Sequence, residues 1–343
     1  MLLLVHEPEA TCRARLEAEG FSSDRAFEIS SYLAQSTDIG PEFSAIERDC
    51  AARGLAFRPV ELGETAEAFA AADPRATIVW TLTDGIAYFR GGAAPALARL
   101  HGLKTLGADE SLFALCQDKF RSGAVLGALG LPVPQAGLAR NGRFLAEPPA
   151  SASGWFVKPN RLGAKIGIWD DSHCRTLGEA LVLSRRIFEA YRNDAIVQPY
   201  VAGRNVRASF LAVDPSTGLE AVSAVFVDSG GDFQTMRDSH ALYGETGAQA
   251  REEARYAEPA LAEVDEEAAA TIRAIAARLT DELGLRDVFS LDLRVEENGA
   301  AHLIEFEVCP GLPCFDFRDY CRRRWGLSLA EAMAETARAR LLP

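Results

Sequence analysis

Three carboxylates stand where a hairpin would gather them. Residues 289–316 read FSLDLRVEENGAAHLIEFEVCPGLPCFD, two apolar runs on either side of Asn298-Gly299. Asn-Gly is a strong hairpin signal, because a type I′ turn needs positive φ at both central residues. With those two as the turn, Asp292 faces Glu305, and period-two alternation puts Asp292, Glu305 and Glu307 on one face. Leu291, Leu293, Ile304 and Phe306 take the other face as core. Directly opposed Cβ atoms lie roughly 4.5–5.5 Å apart, and like charges so placed repel. A cation between them relieves the repulsion. One or two carboxylates at a time, completed by phosphate oxygens, are the ligands Mg²⁺ takes. The same pattern also describes a solvated acidic strand face.

The cationic partners lie upstream. Gly154 to Pro159 (GWFVKP) reads as a strand with Lys158 among bulky apolar residues. An unpaired buried ammonium is costly, so Lys158 points at an anion or at solvent. Asn160 to Ile168 (NRLGAKIGI) follows, a loop with Gly163 and Gly167 whose backbone N–H groups could close over phosphates, although glycine in a loop more often means only a turn. Asp109 caps a predicted helix that runs through Lys119 to about Gly130. Ala195 to Val201 (AIVQPYV) is a strand bent or ended by Pro199; its Gln198, Tyr200 and Val201 suit either a purine edge or a domain hinge.

Around these residues the chain alternates strands and helices. Strands are predicted at Met1–Val5 and Ala76–Leu82 and a helix at Gly40–Leu55, giving a small N-terminal α/β domain with a parallel sheet. Ligands of such sheets bind beyond the strand carboxyl ends, here the His6-Glu7 and Thr83-Asp84-Gly85 turns, which can equally be plain loops. A helix spans 175–192, strands cover 205–213 and 219–227, and a polar Gly-rich stretch covers 228–247. A loop that long is a functional lid or disordered. A helix over 264–283 leads into the hairpin, and 318–343 reads as one amphipathic helix.

At 343 residues, with a net charge of −13 and a pI near 5.0, two or three domains are expected and a general nucleic-acid binder is disfavoured. The apolar run Met1–Val5 is too short for a signal peptide or a membrane span. Seven cysteines, an odd number, point to reduced thiols and a cytoplasmic location. Cys309, Cys314 and Cys321 lack zinc-site spacing.

Assembled in order, GLKTLGADESLFALCQDK, FVKPNRLGAKIGI, IVQPYVAGRNV, SLDLR and HLIEFEVCPG resemble the ATP-grasp superfamily, in its D-alanine–D-alanine ligase-like branch. The resemblance implies an α/β fold with an N-terminal domain at 1–108, a central subdomain at 109–193 and a C-terminal subdomain at 194–343. It implies that Lys119 and Lys158 contact ATP phosphates and that Gly163, Ala164, Lys165 and Gly167 form the flap. Gln198, Tyr200, Val201 and Asn205 would line adenine and ribose, and Asp292, Glu305 and Glu307 would hold Mg²⁺, with Mn²⁺ as an alternative. The implied reaction joins a small carboxylic acid to an amine through an acyl phosphate, without nucleic acid or membrane partners and with a homodimer left open. Lys158, Arg294 and Ser290 are the catalytic candidates.

Several positions depart from that branch. Ser290 stands where those ligases carry an arginine, with Arg294 two residues beyond Asp292 on the same face. Ala164-Lys165 replaces a serine pair, Asn205 a glutamate and Glu307 an asparagine. Asp316, followed at one remove by Arg318, replaces an acceptor-binding serine, and an aspartate there would repel a carboxylate. The N-terminal glycine-rich signature is missing as well, so the product is not necessarily D-alanyl-D-alanine. The alternatives are a nucleotide-binding regulatory or scaffold protein of this fold and a kinase- or carboxylase-like enzyme.

Overall fold

The computed structural model describes residues 1–83, 91–214, 220–227, 232–236, 262–312 and 315–341. The N-terminal unit contains β1 (Leu2–His6), α1 (Glu9–Ala18), α2 (Ser23–Thr37), α3 (Phe43–Ala52), β2 (Phe57–Glu61), α4 (Thr65–Ala70), β3 (Ile78–Thr81), α5 (Ala93–Leu100) and β4 (Lys104–Leu106). Its strands lie in the order β2-β1-β3-β4 and are all parallel. A parallel sheet is covered on both faces. Accordingly Leu2 and Leu4 join one core cluster, whereas Leu3 and Val5 join another. At the carboxyl end of β1, the His6 ring packs edge-on against Phe43, and Glu7 pairs with Arg15 at 3.1 Å. That turn is therefore packed into the fold; Asp84 and Gly85 of the other nominated turn lie outside the described residues.

The single helix expected from Asp109 to Gly130 is two helices, α6 (Glu110–Cys116) and α7 (Lys119–Ala128). Asp118 makes the break. Its carboxylate accepts the Arg121 N–H as an N-cap and also binds the Asn160 amide at 3.0 Å and the Arg161 guanidinium at 2.8 Å. Lys119 consequently starts a helix beside the glycine-rich loop instead of lying mid-helix.

The central sheet is antiparallel, in the order β6-β5-β9-β7-β8: β5 (Gly137–Arg140), β6 (Arg143–Ala146), β7 (Trp155–Pro159), β8 (His173–Cys174) and β9 (Ala195–Pro199). Helix α8 (Leu177–Tyr191) covers it and begins with a Thr176/Glu179 capping box. Because β9 pairs with β5 and β7, this sheet runs on to Pro199, past the boundary expected after 193.

The C-terminal sheet has the order β11-β10-β12-β13, formed by β10 (Arg204–Leu211), β11 (Glu220–Phe226), β12 (Val288–Val295) and β13 (Ala301–Glu307). Helix α9 (Glu266–Leu283) buries Ile272, Ile275 and Leu279 against one face. Helix α10 (Phe315–Trp325) packs on β10 and β11. The single helix expected at 318–343 is interrupted at Gly326, whose φ is 70°; α11 (Leu329–Leu341) then packs back on α3.

The hairpin between β12 and β13 differs from the expected one in two ways that cancel. Its turn is closed by the Gly299 N–H to the Glu296 carbonyl at 2.9 Å, and of its residues Gly299 alone has positive φ, so it is not type I′. A bulge then follows, with the register shifting between Asp292 and Leu293 so that Ile304 is the extra residue. Asp292 still faces Glu305. Leu303 and Phe306 fill the core, whereas Ile304, expected there, is only half-buried.

Candidate active site

Alternation along β10, β12 and β13 builds a face with an ordered gradient. One rung runs Arg207, Asp292, Glu305 across the three strands. The Arg207 guanidinium donates to Asp292 at 3.0 and 3.4 Å. From the central unit, the Lys119 ammonium comes within 3.1 Å of Glu305 Oε2 and donates to the Leu162 carbonyl at 2.9 Å; Lys158 Nζ lies 3.8 Å from Glu305 Oε1. Positive and negative groups therefore alternate across the junction of two sheets. Burial alone would raise the Glu305 carboxyl, but Lys119 and Lys158 outweigh it and pull the group down to about 2. Burial also lowers Lys158, more than Glu305 raises it. For Lys119 the Glu305 charge outweighs burial, and its value rises. Glu307 is pushed up to about 7 by burial, against the pull of Arg207 and with help from Asp292 and Glu305.

These carboxylates form an all-oxygen donor set, the chemistry a hard divalent ion requires. As the side chains stand, however, Asp292 and Glu305 are held by protein cations, and no three acidic, His or Cys side chains among the described residues converge enough to hold an ion. The donor types fit Mg²⁺. Their present partners would have to yield to it.

The glycine-rich loop closes over Lys119. Ala164 and Lys165 have φ of 50° and 63°, and Gly167 has 72°. A Cβ on Gly167 would fall 2.6 Å from Pro159 Cγ, so glycine is required there, whereas Gly163 has open space around it. Residues 232–236, a piece of the expected lid, strap this loop down. The Met236 N–H donates to the Ile168 carbonyl at 3.0 Å, the Gly167 N–H approaches Met236 Sδ at 3.1 Å, and Phe233 packs edge-on against Phe156. The remainder of 228–247 lies outside the described residues.

Arg294 is engaged elsewhere than at the acidic rung. Its guanidinium donates to the Val201 carbonyl (3.1 Å), Asn205 Oδ1 (2.9 Å), the Asp232 carbonyl (2.7 Å) and the Tyr200 hydroxyl (3.3 Å). It clamps the segment after β9 and makes none of these contacts with the acidic rung. The Tyr200 ring stacks on His173 at 3.8 Å, so this segment would meet a purine mainly with its backbone. Gln198 is buried and donates weakly to the Pro134 carbonyl at 3.4 Å. Ser290 is 1% exposed, and its hydroxyl has no hydrogen-bond partner. The Asp316 side chain lies outside the described residues, and Arg318 pairs with its neighbour Asp319 at 2.9 Å.

Arg207 was not singled out by the sequence. Its signal was there: in Arg204 to Phe210 (RNVRASF), Val206, Ala208 and Phe210 alternate into the core, which sends Arg207 and Ser209 to the other face.

Known proteins resemble this chain in sequence and in fold. Residues 146–335 match the family model described as D-ala D-ala ligase C-terminus. A candidate D-alanine–D-lactate ligase of Streptomyces coelicolor is 25% identical over 245 residues, covering 71% of this chain and 67% of that protein. The D-alanine–D-alanine ligase of Glaesserella parasuis is 27% identical over 214 residues, 62% of this chain and 63% of its own length. Among solved structures, the D-alanine–D-alanine ligase of Bacillus anthracis complexed with ATP superposes with a TM-score of 0.62 at 11% identity, over 99% of this chain and 97% of that one. The VanG D-Ala:D-Ser ligase of Enterococcus faecalis gives 0.61 at 16% identity, over 99% and 98%. The fold is that of the ATP-grasp ligases, and the chain belongs to the D-ala D-ala ligase C-terminus family.

Proposed function

We propose that the protein is an ATP-dependent, ADP-forming ligase that joins a small carboxylic acid to an amine through an acyl phosphate. The observation that carries this reading is the meeting of the buried Lys119 and Lys158 with Glu305 beside Asp292 and Glu307. A carboxylate is a poor electrophile. In the first step its oxygen attacks the γ-phosphorus of ATP and ADP leaves; in the second the amine nitrogen attacks the acyl carbon, phosphate leaves and the nitrogen loses a proton. Phosphoryl transfer depends on positioning and on neutralising the phosphate oxygens, which two ammonium groups provide. Asp292, Glu305 and Glu307 would hold Mg²⁺, or Mn²⁺ in its place, which adds charge neutralisation at the transferred group. The Gly163–Gly167 loop and the 232–236 strap would shield the acyl phosphate from water. The hinge after β9, held by Arg294, would meet the base, placing ATP between the central and C-terminal units.

The substrates in the relatives' names, D-alanine, D-lactate and D-serine, make a small 2-amino or 2-hydroxy acid the natural class for this chain. No helix among the described residues is long and apolar enough to cross a membrane. The reading is tested by ADP release over a panel of acids crossed with amines. Release that requires both substrates supports it, and no release with any pair refutes it.

A further inference from the structure

The cations that hold the acidic rung are all groups that can also hold phosphate. Glu305 meets Lys119 at 3.1 Å and Lys158 at 3.8 Å, and both oxygens of Asp292 accept from the Arg207 guanidinium, at 3.0 and 3.4 Å. The lysines arrive from the central unit, whereas Arg207 stands in the rung itself, on β10 directly opposite Asp292. The side chains of Arg207 and Asp292 are 26% and 27% exposed, against 8% and 7% for Lys119 and Lys158, so a ligand reaches this pair of the rung first. Of the two arginines described on this face of β10 and β12, Arg294 is taken up by the hinge and strap. Ser209 and Ser290, the neighbouring rung, bring no charge. A cross-strand pair this exposed adds little to folding. Its geometry has another use, because the fork that grips a carboxylate with two parallel hydrogen bonds grips phosphate oxygens equally well. A guanidinium can therefore pass from one anion to the other without losing hydrogen bonds, and a hard divalent ion is the natural successor on the carboxylate.

We infer that Arg207 is a catalytic residue of the phosphoryl-transfer step: its guanidinium holds Asp292 until a divalent ion takes that carboxylate, and then binds the oxygens of the phosphoryl group in flight. That the group travels to a carboxylic acid rests on the ligase reading. In the step, an oxygen of the acid's carboxylate bonds to the γ-phosphorus, the bond from that phosphorus to the bridging oxygen breaks, and ADP leaves with its electron pair. No proton moves, since a guanidinium stays protonated and only donates hydrogen bonds. Neighbouring strands lie roughly 4.8 Å apart, and the guanidinium already spans the gap from β10 to β12. It ends above the middle of the rung, with Lys119 and Lys158 across Glu305 on the far side. An arginine that grips the phosphoryl group only as it transfers raises kcat and leaves substrate affinity nearly unchanged.

The test compares the full-length protein with Arg207→Met, which keeps the stem and removes the charge. The variant should fold, with Tm within roughly 3 °C of the wild type, because the pair it breaks is an exposed one. Mn²⁺ added without nucleotide and followed by electron paramagnetic resonance should bind Arg207→Met about 10-fold or more tightly than the wild type, since Asp292 has lost its competitor. Mg·ADP with aluminium fluoride, a mimic of the phosphoryl group in flight, should bind the variant about 30-fold or more weakly, while Mg·ADP alone binds both within about 3-fold. In ADP release, kcat should fall about 100-fold or more with the KM for ATP within about 3-fold, in line with other arginines at transferred phosphoryl groups. The inference is overturned if Mn²⁺ binds both proteins alike, if the fluoride complex does, or if kcat survives within about 3-fold. A wild type that releases ADP from no acid–amine pair removes the ligase reading, and fluoride binding that depends on Arg207 still carries the arginine. Turnover with kcat intact in Arg207→Met removes the arginine and leaves the ligase.

Discussion

Lys119, at the start of α7, and Glu305, on the edge strand β13 of the C-terminal sheet, are in contact at 3.1 Å. Lys158 shares the same carboxylate, so Glu305 is the counter-charge of two buried ammonium groups. Glu305→Gln should therefore abolish ADP release and also destabilise the protein, by about 3–5 kcal/mol as for other broken buried pairs. Activity and denaturant midpoint measured together check this; an inactive variant of unchanged stability would mean that the lysines do not depend on Glu305.

Arg294 holds four acceptors of the hinge and strap in one fork. Lysine cannot reproduce that geometry. Arg294→Lys is expected to raise the KM for ATP about 10-fold or more while kcat changes little, since about 1.4 kcal/mol is tenfold. Steady-state kinetics decide: a fall confined to kcat would return Arg294 to the reacting atoms.

The Asp118 carboxyl is held below its ordinary range. Burial pushes it up, but hydrogen bonds from Asn160, the Arg121 N–H and Arg161 outweigh burial. A depressed carboxyl stabilises the fold above its unfolded value, near 3.9, and the contribution fades as pH falls through the folded value. Asp118→Asn should cost about 1.5–3 kcal/mol at pH 7, and the gap to wild type should narrow below about pH 4. Urea unfolding at both pH values measures it, and a gap that stays constant would show that the charge plays no part.

Two glycines of the phosphate-side loop should respond in opposite ways. Gly167→Ala meets Pro159 and carries a φ of 72°, so a loss of about 1–3 kcal/mol and impaired turnover are expected. Gly163→Ala finds nothing within 4 Å and should be tolerated. Melting temperatures and ADP release of the two variants provide the comparison.

The acidic hairpin was legible because alternation and an Asn-Gly turn are local signals. Even there, the correct pairing of Asp292 with Glu305 survived because a longer turn and a bulge at Ile304 offset each other. The glycine loop, the helix that became α8 and the parallel N-terminal sheet were readable for the same local reason. Arg207 was not, since its meaning depends on β10 lying against β12 across about eighty intervening residues. Asp118 looked like an ordinary helical residue until Asn160 and Arg161, distant in sequence, arrived to bind it. Arg294 sat on the expected face, but its partners in the hinge and strap, which set its role, come from other segments.

The return of α11 onto α3 has a bearing on synthesis. Leu2, Leu4 and Trp80 share a core with Leu329, Met333 and Ala337, and Arg53 binds Glu335 at 2.8 Å. A nascent N-terminal sheet emerging from the ribosome therefore keeps part of one greasy side uncovered until α11, some 250 residues downstream of β3, has been made, a standing invitation to chaperones.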